Sequence, residues 1–306
     1  MSALADAAEH YVMLRRAVGF KLVDADRVLG DYACFAEAHG TQRVTAALAL
    51  EWAQLGSSPS RCSHRLQVLG RFAVWFQAFD PDSELPPPAT VSAYRRRRNP
   101  YLYSPTEITA LMDAARGLEP RLWAATTETV IGVLAATGMR VGEVLRLNRN
   151  DVGWDEATVT VWHTKFDKSR LVPLSASTMA ALVAYDRLRR DTRTVRSSPA
   201  LFVAARGGRL DYPRFRATFV GLLDAAGIAT PGDRRQPRIH DLRHSFAVRT
   251  VTGWYRDGQD VQAMLPRLST YLGHGDPAAT YWYLSAAPEL LSLAADRLER
   301  TLEGGA

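Results

Sequence analysis

Residues 238–247 read Arg238-Ile239-His240-Asp241-Leu242-Arg243-His244-Ser245-Phe246-Ala247. His240 and Arg243 stand three apart, a spacing that puts both on one face of a helix. Asp241 is expected as the N-cap or first-turn anion of that helix, with Leu242, Phe246, Ala247 and Val248 as its buried side. One face then presents an imidazole beside a guanidinium, a pairing suited to gripping a phosphate oxygen and handling its protons. The same pattern also fits a solvated basic helix with a core-facing histidine. The flanking sequence has to decide between the two.

The surrounding composition points to an ordinary globular protein with a polyanionic partner. The chain has 306 residues, 47% hydrophobic and 23% charged, enough for one large core or two smaller ones. Formal charge is +6 and the sequence pI about 9.5, which suits a nucleic-acid partner without proving one. Arginine carries almost all of that charge; lysine occurs only at Lys21, Lys165 and Lys168. Cys34 and Cys62 each lie in an apolar helical pattern and read as buried free thiols of a reducing compartment. The start Met1-Ser2-Ala3-Leu4 shows no basic region followed by an apolar run, and no stretch resembles a membrane span. A soluble, cytoplasmic protein that does not engage a membrane is the expectation.

Upstream, residues 1–80 carry helical spacing in four short segments, a compact bundle. Thr45 is expected to cap the third segment, and Pro59-Ser60 to open the fourth, with Leu66, Leu69, Phe72 and Phe76 inward. Pro86-Pro87-Pro88 and Arg95-Arg96-Arg97-Arg98 then form a stiff cationic linker suited to tracking phosphates. Ser104-Pro105-Thr106-Glu107 is a helix start, Ser capping and Pro first. An apolar helical run from Thr126 to Ala136 is punctuated by Gly138. Arg140 to Leu145 opens another helix, with Arg140 in its first turn and Glu143 one turn on. An arginine there opposes the helix dipole, which a Glu143 pairing or a bound phosphate would offset.

Residues 157–162 alternate as a strand and Arg170-Leu171-Val172-Pro173-Leu174 returns as its partner. Two of the three lysines sit on the intervening tip. An ammonium can act as a general acid where arginine stays protonated. Helices follow at about 178–190, 212–226 and 261–272; Leu201-Phe202-Val203 is too short to assign. Gly273-His274-Gly275 interrupts the pattern, a short helix carries Tyr281 and Tyr283, and an amphipathic helix spans 288–302.

The ordered set Thr137-Gly138-Met139-Arg140-Val141-Gly142-Glu143, Lys165 before Arg170-Leu171-Val172-Pro173-Leu174, His240-Asp241-Leu242-Arg243-His244, Leu272-Gly273-His274 and Thr280-Tyr281-Trp282-Tyr283 resembles the tyrosine recombinases of the phage-integrase family. The resemblance covers residues 101–285. It implies a mainly α fold with a small β-hairpin or sheet: an N-terminal helical core-binding domain over 1–95 and a mixed α/β catalytic domain over 101–285. It further implies a C-shaped DNA clamp, with the segment 286–306 docking in trans on a neighbouring copy.

The implied chemistry is site-specific recombination through a Holliday junction, serving integration, transposition or resolution. Tyr283 would attack a scissile phosphate of double-stranded DNA to give a 3′-phosphotyrosyl link, with Arg140 and Arg243 clamping the non-bridging oxygens. Lys165 would protonate the leaving 5′ oxygen, Lys168 being the alternative; His240 and His274 would assist, and Glu143 would orient Arg140. No cofactor or metal is implied, and the partners are DNA and further recombinase copies, from dimer to tetramer. Tyr283 stands nine residues after His274 and three after Thr280, the family spacing. Tyr281 points roughly 200° away on a helix and is left as packing.

Elementary energetics agree with that scheme. Forming a phenolate at pH 7 from a group of pKa about 10 costs roughly 4 kcal/mol. Paired guanidiniums reduce the cost and stabilise charge building on phosphorus. The rivals are a type IB topoisomerase, a DNA-binding regulator without catalysis, and a metal-dependent hydrolase. His240 and His244 at i and i+4 would also suit a zinc pair, but the catalytic Glu of such motifs and an evident third ligand are missing.

Overall fold

The computed structural model describes residues 3–20, 22, 24–88, 100–162, 169–192, 198–228 and 236–273. They divide between two compact units, Met1–Arg98 and Asn99–Ala306.

The first unit holds α1 (Ala3–Ala17), α2 (Ala25–Ala38), α3 (Ala46–Gln54) and α4 (Pro59–Phe76). Thr45 Oγ1 accepts from Leu48 N and Ser58 Oγ accepts from Arg61 N, both at 3.3 Å, satisfying donors that a helix start leaves open. Tyr32, Trp52 and Phe72 are fully buried between the helices. Trp52 keeps its indole N–H paired with Asp31 Oδ2 at 3.1 Å, as a buried polar group requires. Cys62 is half-buried, but Cys34 is exposed, against the expectation of two buried thiols. The inward positions of α2 are Leu29, Tyr32, Ala33 and Ala36, and position 34 falls off that stripe.

The second unit is built around α6 (Arg121–Thr137), which packs on α5 (Pro105–Arg116), α8 (Ala176–Asp191) and α10 (Ile239–Arg256). Thr126, Thr129 and Thr137 satisfy their hydroxyls by bonding back one turn, as Thr126 Oγ1 does to Leu122 O at 2.7 Å. Ser104 and Glu107 form a capping box at the start of α5. After α6 come α7 (Val141–Arg146), then β1 (Val152–Gly153), β2 (Thr158–Val161) and β3 (Arg170–Pro173), a small antiparallel sheet in the order β1-β2-β3. Val159 pairs with Val172 and Val161 with Arg170. The segment 201–203, too short to assign from its sequence, is fully buried, and Val203 bridges Arg209.

The unit continues with α9 (Tyr212–Ala225), α10 and α11 (Val261–Leu272). Helix α10 serves two cores: Ile239 and Leu242 join the main one, while Ala247, Val248 and Val251 pack with Leu265, Leu268 and Leu272 of α11. Among the described residues, no helix is long and apolar enough to cross a membrane.

Candidate active site

The site is assembled from chain ends. Helix α6 stops at Gly138, which takes the left-handed φ of +61° and leads into Met139 and Arg140. A Cβ at Gly138 would lie 2.4 Å from Phe246 Cδ1 on α10, so only glycine lets the turn approach that helix. Arg140 is the N-cap of α7 and not, as expected, in its first turn. In that extended geometry its backbone N–H donates to Glu143 Oε2 at 3.0 Å, and its Nη1 to Glu143 Oε1 at 2.8 Å. Its Nη2 reaches across to Gly273 O at 2.7 Å.

Gly273 is the left-handed C-cap of α11, with φ +68°. Arg243, on the inner face of α10, donates from Nη1 to Gly138 O at 2.8 Å and from Nη2 to Leu272 O at 2.7 Å. It is only 2% exposed. One guanidinium thus bridges the carbonyl ends of α6 and α11, where free acceptors and negative dipole ends favour a cation. Arg140 and Arg243 meet at the end of α11, on adjacent carbonyls.

The neighbouring anions are both buried and both committed. Glu143 also receives Arg170 Nη2 on Oε2 at 2.7 Å and Nη1 on Oε1 at 3.2 Å. Burial alone would raise the Glu143 pKa, but the bonds and charges of Arg170, then those of Arg140, outweigh it and hold the carboxyl at about 2. Of the two places expected for Asp241 it takes the second, as first-turn anion of α10, while Arg238 is the N-cap; Asp241 accepts the Arg238 N–H on Oδ2 at 2.8 Å and its Nη2 on Oδ1 at 3.1 Å. An acid at that third position satisfies the open end from inside the helix, so the cap itself needs no acceptor side chain.

Four guanidiniums (Arg140, Arg170, Arg238 and Arg243) stand against the two carboxylates of Glu143 and Asp241. That leaves a net cationic centre suited to an oxyanion.

His240 lies in this field. Packing around the ring, then the charges of Arg243, Arg238 and Arg140, push its pKa down to about 4. The residue keeps an exposed edge, so water screens part of the repulsion, but the direction keeps the imidazole neutral near pH 7. Its ring meets His244 edge-on, centroids 4.9 Å apart. Tyr271 faces Arg170 and Arg243, yet burial outweighs them and holds its phenol above the usual value; it stacks on Phe246.

Of the residues singled out from sequence, Arg140, His240, Arg243 and Glu143 come together here. Lys165, Lys168, His274, Tyr281 and Tyr283 lie outside the described residues, as does the segment 286–306. Arg170 reads from sequence only as the first residue of a strand. A signal is present all the same: period-2 alternation puts it on the face of Val172 and Leu174, which are buried, and opposite to Leu171, which is exposed. An arginine on a buried face requires an anion.

The sequence model of the phage integrase family matches residues 103–289. The chain is 41% identical to y4rB of Sinorhizobium fredii, named as an integrase/recombinase, over 99% of both chains. It is 31% identical to the tyrosine recombinase XerD of Ralstonia nicotianae, over 77% of this chain and 72% of XerD. In fold it resembles the XerH site-specific recombinase bound to palindromic difH, with TM-score 0.66 and 19% identity over 96% of this chain and 85% of XerH. The Tn1549 transposon integrase in complex with transposon right end DNA gives TM-score 0.65 and 16% identity over 96% and 98%. With a family match over more than half its length and a relative of this identity from end to end, the chain belongs to the phage integrase family, the tyrosine recombinases.

Proposed function

We propose that this recombinase cuts and rejoins double-stranded DNA at defined sites through a covalent 3′-phosphotyrosyl intermediate formed by Tyr283. The phenolic oxygen bonds to phosphorus as the bond to the 5′ oxygen breaks. The phenol proton passes to a neighbouring base or to water, and Lys165 supplies a proton to the departing 5′ oxygen. Arg140 and Arg243 balance the charge that builds on the non-bridging oxygens. His240, neutral, hydrogen-bonds one of them, and His274 acts beside it. The ester keeps the energy of the broken bond, so a 5′-hydroxyl from a second site reverses the step and yields a Holliday junction.

The observation that carries this reading is the convergence of Arg140 and Arg243 on adjacent carbonyls at the end of α11, immediately before His274 in sequence, with His240 on the same helix as Arg243, three residues before it. The helical unit 1–95 is assigned to DNA binding outside the cleavage centre. A dimer to tetramer on DNA is the assembly proposed, joined by segment 286–306 in trans, and the cytoplasm is the compartment. Incubation with nicked duplexes of native flanking DNA tests the chemistry. Wild-type protein is expected to trap a covalent adduct and Tyr283→Phe to trap none; equal trapping by both would refute the assignment.

A further inference from the structure

The reaction scheme uses Arg140 but leaves open what keeps its guanidinium in place. Its side chain is about a third exposed and hangs from the first residue outside a six-residue helix, a poor anchor by itself. Three groups hold it. Glu143 takes both its backbone N–H and its Nη1, Gly273 O takes Nη2, and Arg170 donates to the same two Glu143 oxygens with two bonds of its own, holding that carboxylate. Glu143 is 3% exposed and Arg170 13%.

Removing Arg170 would leave the buried carboxylate balanced by one partly exposed guanidinium, free to rotate toward it. Arg170 also lies against Gly273: a Cβ there would come within 3.1 Å of its Nη1 and 3.3 Å of its Cζ, and within 3.5 Å of Arg140 Nη1. The two guanidiniums therefore press on the same turn from which His274 continues. Arg170 is in addition the first residue of β3, two places after Lys168.

On this geometry, and resting on the reading of Arg140 as phosphate clamp, we infer that Arg170 is a positioning residue for strand cleavage. Through the shared Glu143 carboxylate it fixes the Arg140 guanidinium, and it ties the return strand of the lysine hairpin to that clamp. Arg170 does not touch DNA itself.

The test uses full-length protein and a nicked duplex copied from the junction at which wild-type protein becomes covalently attached. A second duplex carries a neutral methylphosphonate at the scissile position, which removes the charge that Arg140 balances. Arg170→Met is expected to slow adduct formation on the phosphodiester by about tenfold or more, less than the roughly 10²–10³ for losing a well-placed donor outright, and on the methylphosphonate by less than about threefold. Arg140→Ala should show the same substrate preference, and the double variant should be no slower than Arg140→Ala alone, because the two residues act as one unit. Arg170→Lys should recover only part of the rate, since an ammonium cannot span both carboxylate oxygens. That variant carries the same comparison if Arg170→Met fails to fold.

Wild-type rates in the Arg170 variants, equal losses on both duplexes, or multiplicative losses in the double variant would overturn the inference. Absence of any wild-type adduct would instead overturn the recombinase chemistry on which it rests.

Discussion

Glu143 accepts from two guanidiniums and a backbone N–H, and its behaviour with pH follows from that. Its folded pKa of about 2 lies below the ordinary 4.5. The stability it contributes is therefore complete above pH 4.5 and is lost as pH falls through 2. Glu143→Gln should remove this part of the acid unfolding slope. It should also destabilise the protein at neutral pH by about 3 kcal/mol, because a buried guanidinium loses its counter-charge; urea midpoints at pH 7 and pH 3 measure both. His240 has a folded pKa of about 4 against 6.5, so its neutral form is favoured and the linked stability falls as pH drops from 6.5 toward 4. A phosphate bound between the arginines would oppose their repulsion. The His240 resonance followed by NMR should then titrate at higher pH in the presence of DNA or inorganic phosphate, and an unchanged titration would contradict an anion at this place.

Among elements, the turn after α6 and the start of α5 make the sharpest predictions. Gly138→Ala combines a left-handed backbone with a Cβ only 2.4 Å from the Phe246 ring. Backbone strain of about 1–2 kcal/mol and overpacking of about 1–3 kcal/mol should together lower stability by roughly 2–5 kcal/mol. Adduct formation should fall further than stability does, since Arg140 begins two residues on. Ser104→Ala removes the hydroxyl that accepts Glu107 N at 3.2 Å and should cost about 1 kcal/mol with activity retained; thermal unfolding beside a single-turnover cleavage assay separates these outcomes.

The long elements are legible in the sequence because packing repeats along them: α4, α6 and α11 carry apolar residues at helical spacing, and α11 begins and ends where the spacing does. Strand β1, two residues long, has no period to read. The start of α10 is ambiguous for a related reason, since an acid near a helix start serves equally as cap or as third residue.

For the molecule as a whole, the two units have separate cores, one of Tyr32, Trp52 and Phe72 and the other of Leu111, Ile131, Phe202 and Phe215. Each unit, having a core of its own, is expected to fold independently. The arginine run at 95–98 lies at their boundary. Limited trypsin digestion is expected to cut there and release two protected fragments, and cleavage scattered through both units would contradict independent cores. Replacing those four arginines with alanine should weaken DNA binding and flatten its salt dependence, by about 0.9 in the log–log slope for each phosphate no longer neutralised. A slope unchanged from wild type would show that the linker does not engage DNA.

The sequence alone determined the helical pattern, the cationic character and the family, and it singled out Arg140, His240 and Arg243 as candidates, because periodicity, charge and motif spacing are local properties of the chain. Tertiary structure alone decided that Arg243 is spent on the carbonyl ends of two helices. It also decided that Glu143 is shared with Arg170, 27 residues away. The physical reason is common to both: a buried charge takes whichever partner the packing brings within hydrogen-bond reach, and spacing along the chain does not name a partner 27 or 105 residues away.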